Sequence, residues 1–312
     1  MDILVYGAGV CGSYLASELF FAKHNVTLLA RGERLEFLRE NGVIIKHNLQ
    51  KNWTTAKVPV IEKLTPEAHY DVVLIVLKKT DLKSVLPVLE ANKKCPLYIF
   101  LGNNGNIKQV CKSFSDASRL AFGFPAGGGK IDKGIVYSYH ADRPELTLGE
   151  TLGSESTRLS RVASLFKSTA IKVEISPHID AWLKYRLAII SPLAAAIQWA
   201  DGDVKKLASS AEMVDLIIAA IKEGFKVLEA LGYPSEPPSA IRSLQRHKAL
   251  VAFNFKRIAA KESSKLAIRD LAMNAPGEMA ALSDDFKSLN AHSGIETPAI
   301  DKLYALMLRP EA

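Results

Sequence analysis

The stretch DILVYGAGVCGSYLASELFF, residues 2–21, decides how the first half of the chain is read. Asp2 to Tyr6 is a short apolar run, Gly7-Ala8-Gly9-Val10-Cys11-Gly12 fits the pattern GxGxxG, and Leu15, Leu19 and Phe20 then recur at helical spacing. A second apolar run, Val26 to Leu29, completes a β-α-β unit in about thirty residues. The glycine pattern is weak alone, but between a first strand and a first helix it has a mechanism. Gly7 allows the tight turn, Gly9 lets the backbone approach a pyrophosphate, and Gly12 permits close packing, with the helix N-terminus facing the phosphates. Gly7, Ala8, Gly9, Val10, Cys11 and Gly12 are therefore candidate dinucleotide-binding residues.

A site specific for NAD usually carries Asp or Glu about 20 residues beyond the loop, where it bonds the ribose hydroxyls. Here the second run ends Leu29-Ala30-Arg31. A guanidinium in that place suits the 2′-phosphate of NADP, which it can grip bidentately. The expected cofactor is NADP(H), held by Arg31 with Arg34 assisting.

Outward from this unit, further apolar runs at Val72 to Leu77 and Leu97 to Leu101 stand beside helical patterns at Leu82 to Leu89 and Ile107 to Phe114. Such alternation predicts a parallel sheet covered by helices. Val43 to Lys46, Lys57 to Ile61, Ile135 to His140, Leu146 to Leu148 and Ala170 to Ile175 read as additional strands. Beyond Ser176-Pro177 the character changes to long amphipathic segments, Trp182 to Trp199, Met213 to Leu231 and Ala240 to Lys261. The expected class is α/β: a Rossmann-type dinucleotide-binding domain over residues 1–176, followed by an all-helical substrate and dimerisation domain over residues 177–312.

Composition narrows the function classes. With 48% hydrophobic and 23% charged residues the chain falls among folded globular proteins, not disordered or membrane ones. The net charge of +7 is spread among interleaved acids and bases without a basic run, so it argues for steering of small anions and against nucleic-acid binding. Cys11, Cys95 and Cys111 form no CxxC or metal-ligand spacing, so no metal is expected and a reducing, cytoplasmic compartment is. The longest apolar stretch, Leu187 to Ala200, is interrupted by Pro192 and Gln198 and is shorter than the roughly 20 residues of a membrane span. With a strand starting at Asp2, no targeting segment is expected either.

Taken together, the glycine loop, Arg31, Leu77-Lys78, Asn104-Gly105 and the helical second half resemble the ketopantoate reductase (2-dehydropantoate 2-reductase) family nearly end to end. The resemblance implies NADPH-dependent reduction of ketopantoate to pantoate on the route to pantothenate, in a cleft between a Rossmann and a helical domain. It implies that Lys78, after a strand, reaches cofactor and substrate, and that Asn104 lies beside the nicotinamide and substrate. Trp182-Leu183-Lys184 is similar to the family's Trp-x-Lys, which makes Lys184 the implied general acid. Such a lysine works where an apolar cleft disfavours its charged form. Glu278 stands in register with Gly294-Ile295 and Pro298 as the family's substrate-binding glutamate does, and is the second implied catalytic residue, bonding a substrate hydroxyl and pairing with Lys184. Ser191 and Ser264 complete the implied substrate set.

The chain also departs from the family pattern. Ala188 and Ser191 stand where asparagines are usual, and Lys184 is one residue closer to Pro192-Leu193 than the usual spacing, a rotation of about 100° on a helix. Ser264 is two residues farther from Glu278 than is typical. The expected substrate is a small anionic 2-oxo acid, ketopantoate first. A different 2-oxo acid or imine on the same scaffold, or a non-catalytic NADP-binding regulatory protein, is the alternative. A homodimer through the helical domain is an arrangement left open.

Overall fold

The computed structural model describes residues 1–125, 127–140, 142–151, 153, 156–239, 241, 269 and 272–307. The chain divides into two units, one of Met1–Gly102 and Asn106–Ile179, the other of Asn103–Gly105 and Asp180–Ala312.

The first unit is built on an eight-stranded sheet. In chain order its strands are β1 (Asp2–Tyr6), β2 (Asn25–Leu29), β5 (Val60–Ile61), β6 (Val72–Ile75), β7 (Tyr98–Leu101), β8 (Leu120–Pro125), β11 (Glu145–Glu150) and β12 (Lys172–Ile175). They lie in the order β12-β11-β8-β7-β6-β1-β2-β5. The central strands β6 and β7 are buried at every position, as expected for apolar runs covered by helices on both faces. From β8 to β5 the sheet is parallel, but β11 runs antiparallel to β8, with Leu148 opposite Gly123. Helices α1 (Val10–Phe21), α2 (Gly32–Asn41), α3 (Lys79–Ala91), α4 (Ile107–Cys111) and α5 (Thr157–Leu165) accompany it.

A second, four-stranded sheet was not anticipated. β3 (Val43–His47), β4 (Asn52–Ala56), β9 (Gly129–Asp132) and β10 (Ile135–Ser138) pair in the order β4-β3-β10-β9. The strand expected at Lys57 to Ile61 is broken. Pro59 lies between β4 and β5, and β5 survives as a two-residue edge strand paired to β2. Proline has no N–H for a ladder, so an edge is where it is tolerated.

β1 has β2 on one side and β6 on the other, both parallel to it, with Val5 opposite Leu28 and Leu74. The chain order reverses there, and the carboxyl ends of strands flanking such a reversal are where open α/β sheets bind ligands.

In the second unit, α6 (Ile179–Trp199), α7 (Val204–Ser209), α8 (Ala211–Ala230), α9 (Pro276–Asn290) and α10 (Pro298–Ala305) are helical. Gly224 of α8 lets α6 approach closely: a β-carbon at this glycine would come within 2.9 Å of the Ala188 methyl. The Glu223 carboxylate accepts from the Ala299 and Ile300 amides at 3.0–3.1 Å and so satisfies the start of α10. Among the described residues, no helix is long and apolar enough to cross a membrane.

Candidate active site

The glycine loop joins β1 to α1, and its three glycines do different things. Gly7 adopts φ +116°, and a β-carbon there would meet the Val76 carbonyl oxygen at 2.4 Å. Gly12 sits against the turn itself, where a β-carbon would lie 1.9 Å from the Gly7 carbonyl oxygen. Gly9 is the opposite case, because a β-carbon there would meet nothing within 4 Å. It caps α1 without any side-chain hydrogen bond, leaving open space at the helix N-terminus. Two glycines shape the turn and the third keeps its mouth clear, which fits a pyrophosphate bound on backbone amides. Ala8 is buried, while Val10 and Cys11 are half-buried at the start of α1.

Arg31 is exposed and caps α2, and its charge acts on the phenol of Tyr6 at the end of β1. Burial still pushes the Tyr6 phenol above its usual value. An exposed carboxylate, Glu33, lies in the first turn of the same helix. Arg34 does not share the expected role. Its guanidinium donates to the Ala8 carbonyl at 3.0 Å, to the Gly134 carbonyl at 2.5 Å and to the Ser13 hydroxyl at 2.9 Å. Burial lowers its pKa to about 10. Arg34 is thus a half-buried pin under the loop, its guanidinium engaged by the protein itself.

Lys78 is exposed and caps α3, with Val76-Leu77 between it and the end of β6. The preceding pair Val76-Leu77 closes on Gly7, whose missing β-carbon would touch both residues, so Lys78 emerges beside the glycine loop.

In the second unit, Asn103-Asn104-Gly105 packs with the helices. Asn103 accepts from Arg186 Nε at 3.4 Å, Asn104 is buried, and a β-carbon at Gly105 would strike Leu187 at 2.6 Å and Asp285 at 3.2 Å. The Asn-Gly pair therefore does more than turn the chain: its glycine allows the segment to seat against α6 and α9.

Lys184, in α6, is 3% exposed. Its ammonium donates to the Asp180 carboxylate one turn earlier and stands 4.8 Å from the centre of the Tyr233 ring. The ammonium thus has a carboxylate and an aromatic face beside it, not an apolar surround alone, and its charge is compensated. Asp180 also acts on Tyr233, whose phenol is raised by burial and by that carboxylate. Asp180 was passed over in the sequence, although a carboxylate four residues before a lysine on one helix is a legible signal. Glu278 is half-buried in the first turn of α9, where a carboxylate suits the helix dipole.

The continuous helix α6 puts Asp180, Lys184, Ala188 and Ser191 along one stripe, spaced by four, four and three residues. Ala188 fills the contact with Gly224, where a longer side chain would clash. Ser191 is 0% exposed, with its hydroxyl beside that of Tyr304, itself buried in α10. Its Oγ is among the buried side-chain atoms of the described residues that have no hydrogen-bond partner. Lys184 differs in that its partners reach the surface: the Asp180 side chain is 23% exposed and Tyr233 is half-buried. Ser264 lies outside the described residues.

Residues 3–153 match the family described as ketopantoate reductase PanE/ApbA. The uncharacterized oxidoreductase YkpB of Bacillus subtilis is 25% identical over 76% of this chain and 78% of its own length. The 2-dehydropantoate 2-reductase of Mesorhizobium japonicum is 23% identical, covering 99% of this chain and 97% of its own. Among solved structures, 2-dehydropantoate 2-reductase from Geobacter metallireducens superposes with a TM-score of 0.80 at 18% identity, covering 98% of each chain. D-mandelate dehydrogenase with NADH and anilino(oxo)acetate does so with a TM-score of 0.78 at 16% identity, covering 98% of this chain and 97% of its own. On the match over residues 3–153 and the relatives that align with it, the chain is similar to the ketopantoate reductase family of oxidoreductases.

Proposed function

We propose that this protein reduces a small 2-oxo acid with NADPH, 2-dehydropantoate being the first candidate. The observation that carries the reading is the glycine loop: a turn closed by Gly7 and Gly12, open at Gly9, with Arg31 beside it at the end of the neighbouring strand. That arrangement suits a dinucleotide with a phosphate on its ribose, and when bound it supplies the hydride. The family match and the names of relatives support the substrate class.

The chain's own residues would divide the work. Backbone amides at the start of α1 hold the pyrophosphate, Arg31 pairs with the 2′-phosphate, and Lys78 reaches cofactor and substrate. Lys184 gives a proton to the carbonyl oxygen as the carbon is reduced, and its amine is reprotonated from water. Asn104 and Glu278 orient the substrate through its carbonyl and hydroxyl groups. A role in pantothenate biosynthesis in the cytoplasm belongs to the same proposal.

A second reading, reduction of another 2-oxo acid, is favoured by one observation. Ala188 and Ser191, where the family's asparagines are usual, are both packed in the helical core. A panel of 2-oxo acids tested with NADPH decides between the two: preference for ketopantoate supports the first, and preference for an aryl or longer alkyl acid the second.

A further inference from the structure

We infer that Asp180 is a positioning residue for the proton donor, holding the Lys184 ammonium at the start of α6 until the carbonyl oxygen takes its proton. The inference rests on the reading of Lys184 as that donor. Lys184 is almost wholly buried, and a buried ammonium without a counter-charge is costly. Asp180 supplies the counter-charge from the preceding turn, and the face of Tyr233 bounds the ammonium as a second wall. Long side chains on a helix lean toward its N-terminus, so α6 itself delivers Lys184 to Asp180.

Chemically, an ammonium has three N–H donors. Engaging one of them on a fixed carboxylate sets the direction of the others, which a solvated lysine with its freely rotating stem lacks. When the carbonyl oxygen takes the proton, one N–H bond breaks, one O–H bond forms, and the nitrogen keeps the electron pair. The Asp180 carboxylate favours return of a proton from water to Nζ. It acts through the Lys184 ammonium.

The test uses the full chain labelled with 15N at the lysine side-chain nitrogens, with the Lys184 signal assigned by its loss in Lys184→Arg. Its titration is followed in the parent, in Asp180→Asn and in Asp180→Glu. Turnover of ketopantoate with NADPH is measured on the same variants and on Lys184→Ala. Removing an adjacent opposite charge moves a pKa by about 1–3 units, so Asp180→Asn should lower the Lys184 midpoint by about that much and Asp180→Glu should restore it. Turnover should fall by roughly tenfold or more in Asp180→Asn, with NADPH affinity unchanged, and the alkaline limb of its pH profile should move with the midpoint. A Lys184 titration unmoved by Asp180→Asn overturns the positioning role, even if Lys184→Ala is inactive. If instead the midpoint moves while Lys184→Ala keeps full turnover, the proton-donor reading itself falls, and Asp180–Lys184 is a structural ion pair only.

Discussion

Arg34 reaches from α2 under the glycine loop and donates to the Ala8 carbonyl at 3.0 Å. With its bonds to Ser13 and Gly134 this makes it a clamp on the turn that the neighbouring Arg31, exposed at the helix cap, is not. Two arginines three residues apart thus have separable effects on the same cofactor. Arg34→Ala leaves buried acceptors unsatisfied, at about 1–3 kcal/mol each, and should lower the Tm and weaken NADPH and NADH alike. Arg31→Ala should leave the Tm nearly unchanged and weaken NADPH alone, by roughly tenfold or about 1.4 kcal/mol. Paired titrations with the two cofactors check this, and equal affinity of the parent protein for both contradicts the assignment of Arg31.

The glycines of the loop should also respond differently. At Gly9 there is room for a β-carbon, so Gly9→Val should fold with a near-normal Tm and lose dinucleotide binding, because the new side chain takes the space of the pyrophosphate. At Gly12 a β-carbon would stand 1.9 Å from the Gly7 carbonyl, so even Gly12→Ala should destabilise the first unit. Thermal melts with and without NADPH separate these outcomes; retained binding in Gly9→Val would remove the loop from the site.

Behind the loop, the His140 ring stacks on Tyr14 of α1, with centroids 3.9 Å apart, and bonds to the Ser138 hydroxyl. Burial, aided by the charge of His47, lowers its pKa from 6.5 to about 4. Above pH 6.5 the ring is neutral in folded and unfolded chains alike, with no penalty. Between 6.5 and about 4 the unfolded chain binds a proton that the folded chain does not, so stability is lost as pH falls through that window. The full loss is about 3 kcal/mol, and the slope ends below the folded pKa. Melting curves from neutral to acid pH should therefore fall more steeply for the parent than for His140→Phe, and parallel curves would show that His140 is not the group responsible.

What was legible in the sequence was what repeats locally. The run from Asp2 to Gly12 carries its own turn, strand and helix signals, and the strands buried on both faces, such as Val72–Ile75, announce themselves as unbroken apolar runs. The small sheet was only half legible: Asn52–Ala56 and Gly129–Asp132 are largely exposed and polar, so no alternation marks them. The clamping role of Arg34 was not legible because its acceptors, Ala8 and Gly134, are brought to it only by tertiary folding. Asp180, four residues before Lys184 on one helix, was within reach of sequence reasoning.

The central claim is that this protein is an NADPH-dependent 2-oxo-acid reductase with Lys184 as proton donor. The measurement that tests it most directly is the steady-state rate of NADPH oxidation with ketopantoate, in the parent and in Lys184→Ala. A positioned acid contributes ~10²–10⁴-fold, so turnover in the variant should fall within that range while NADPH affinity stays the same. Ketopantoate turnover by Lys184→Ala at the parent rate, or NADPH bound by the parent without oxidation by ketopantoate or any related 2-oxo acid, would contradict the account.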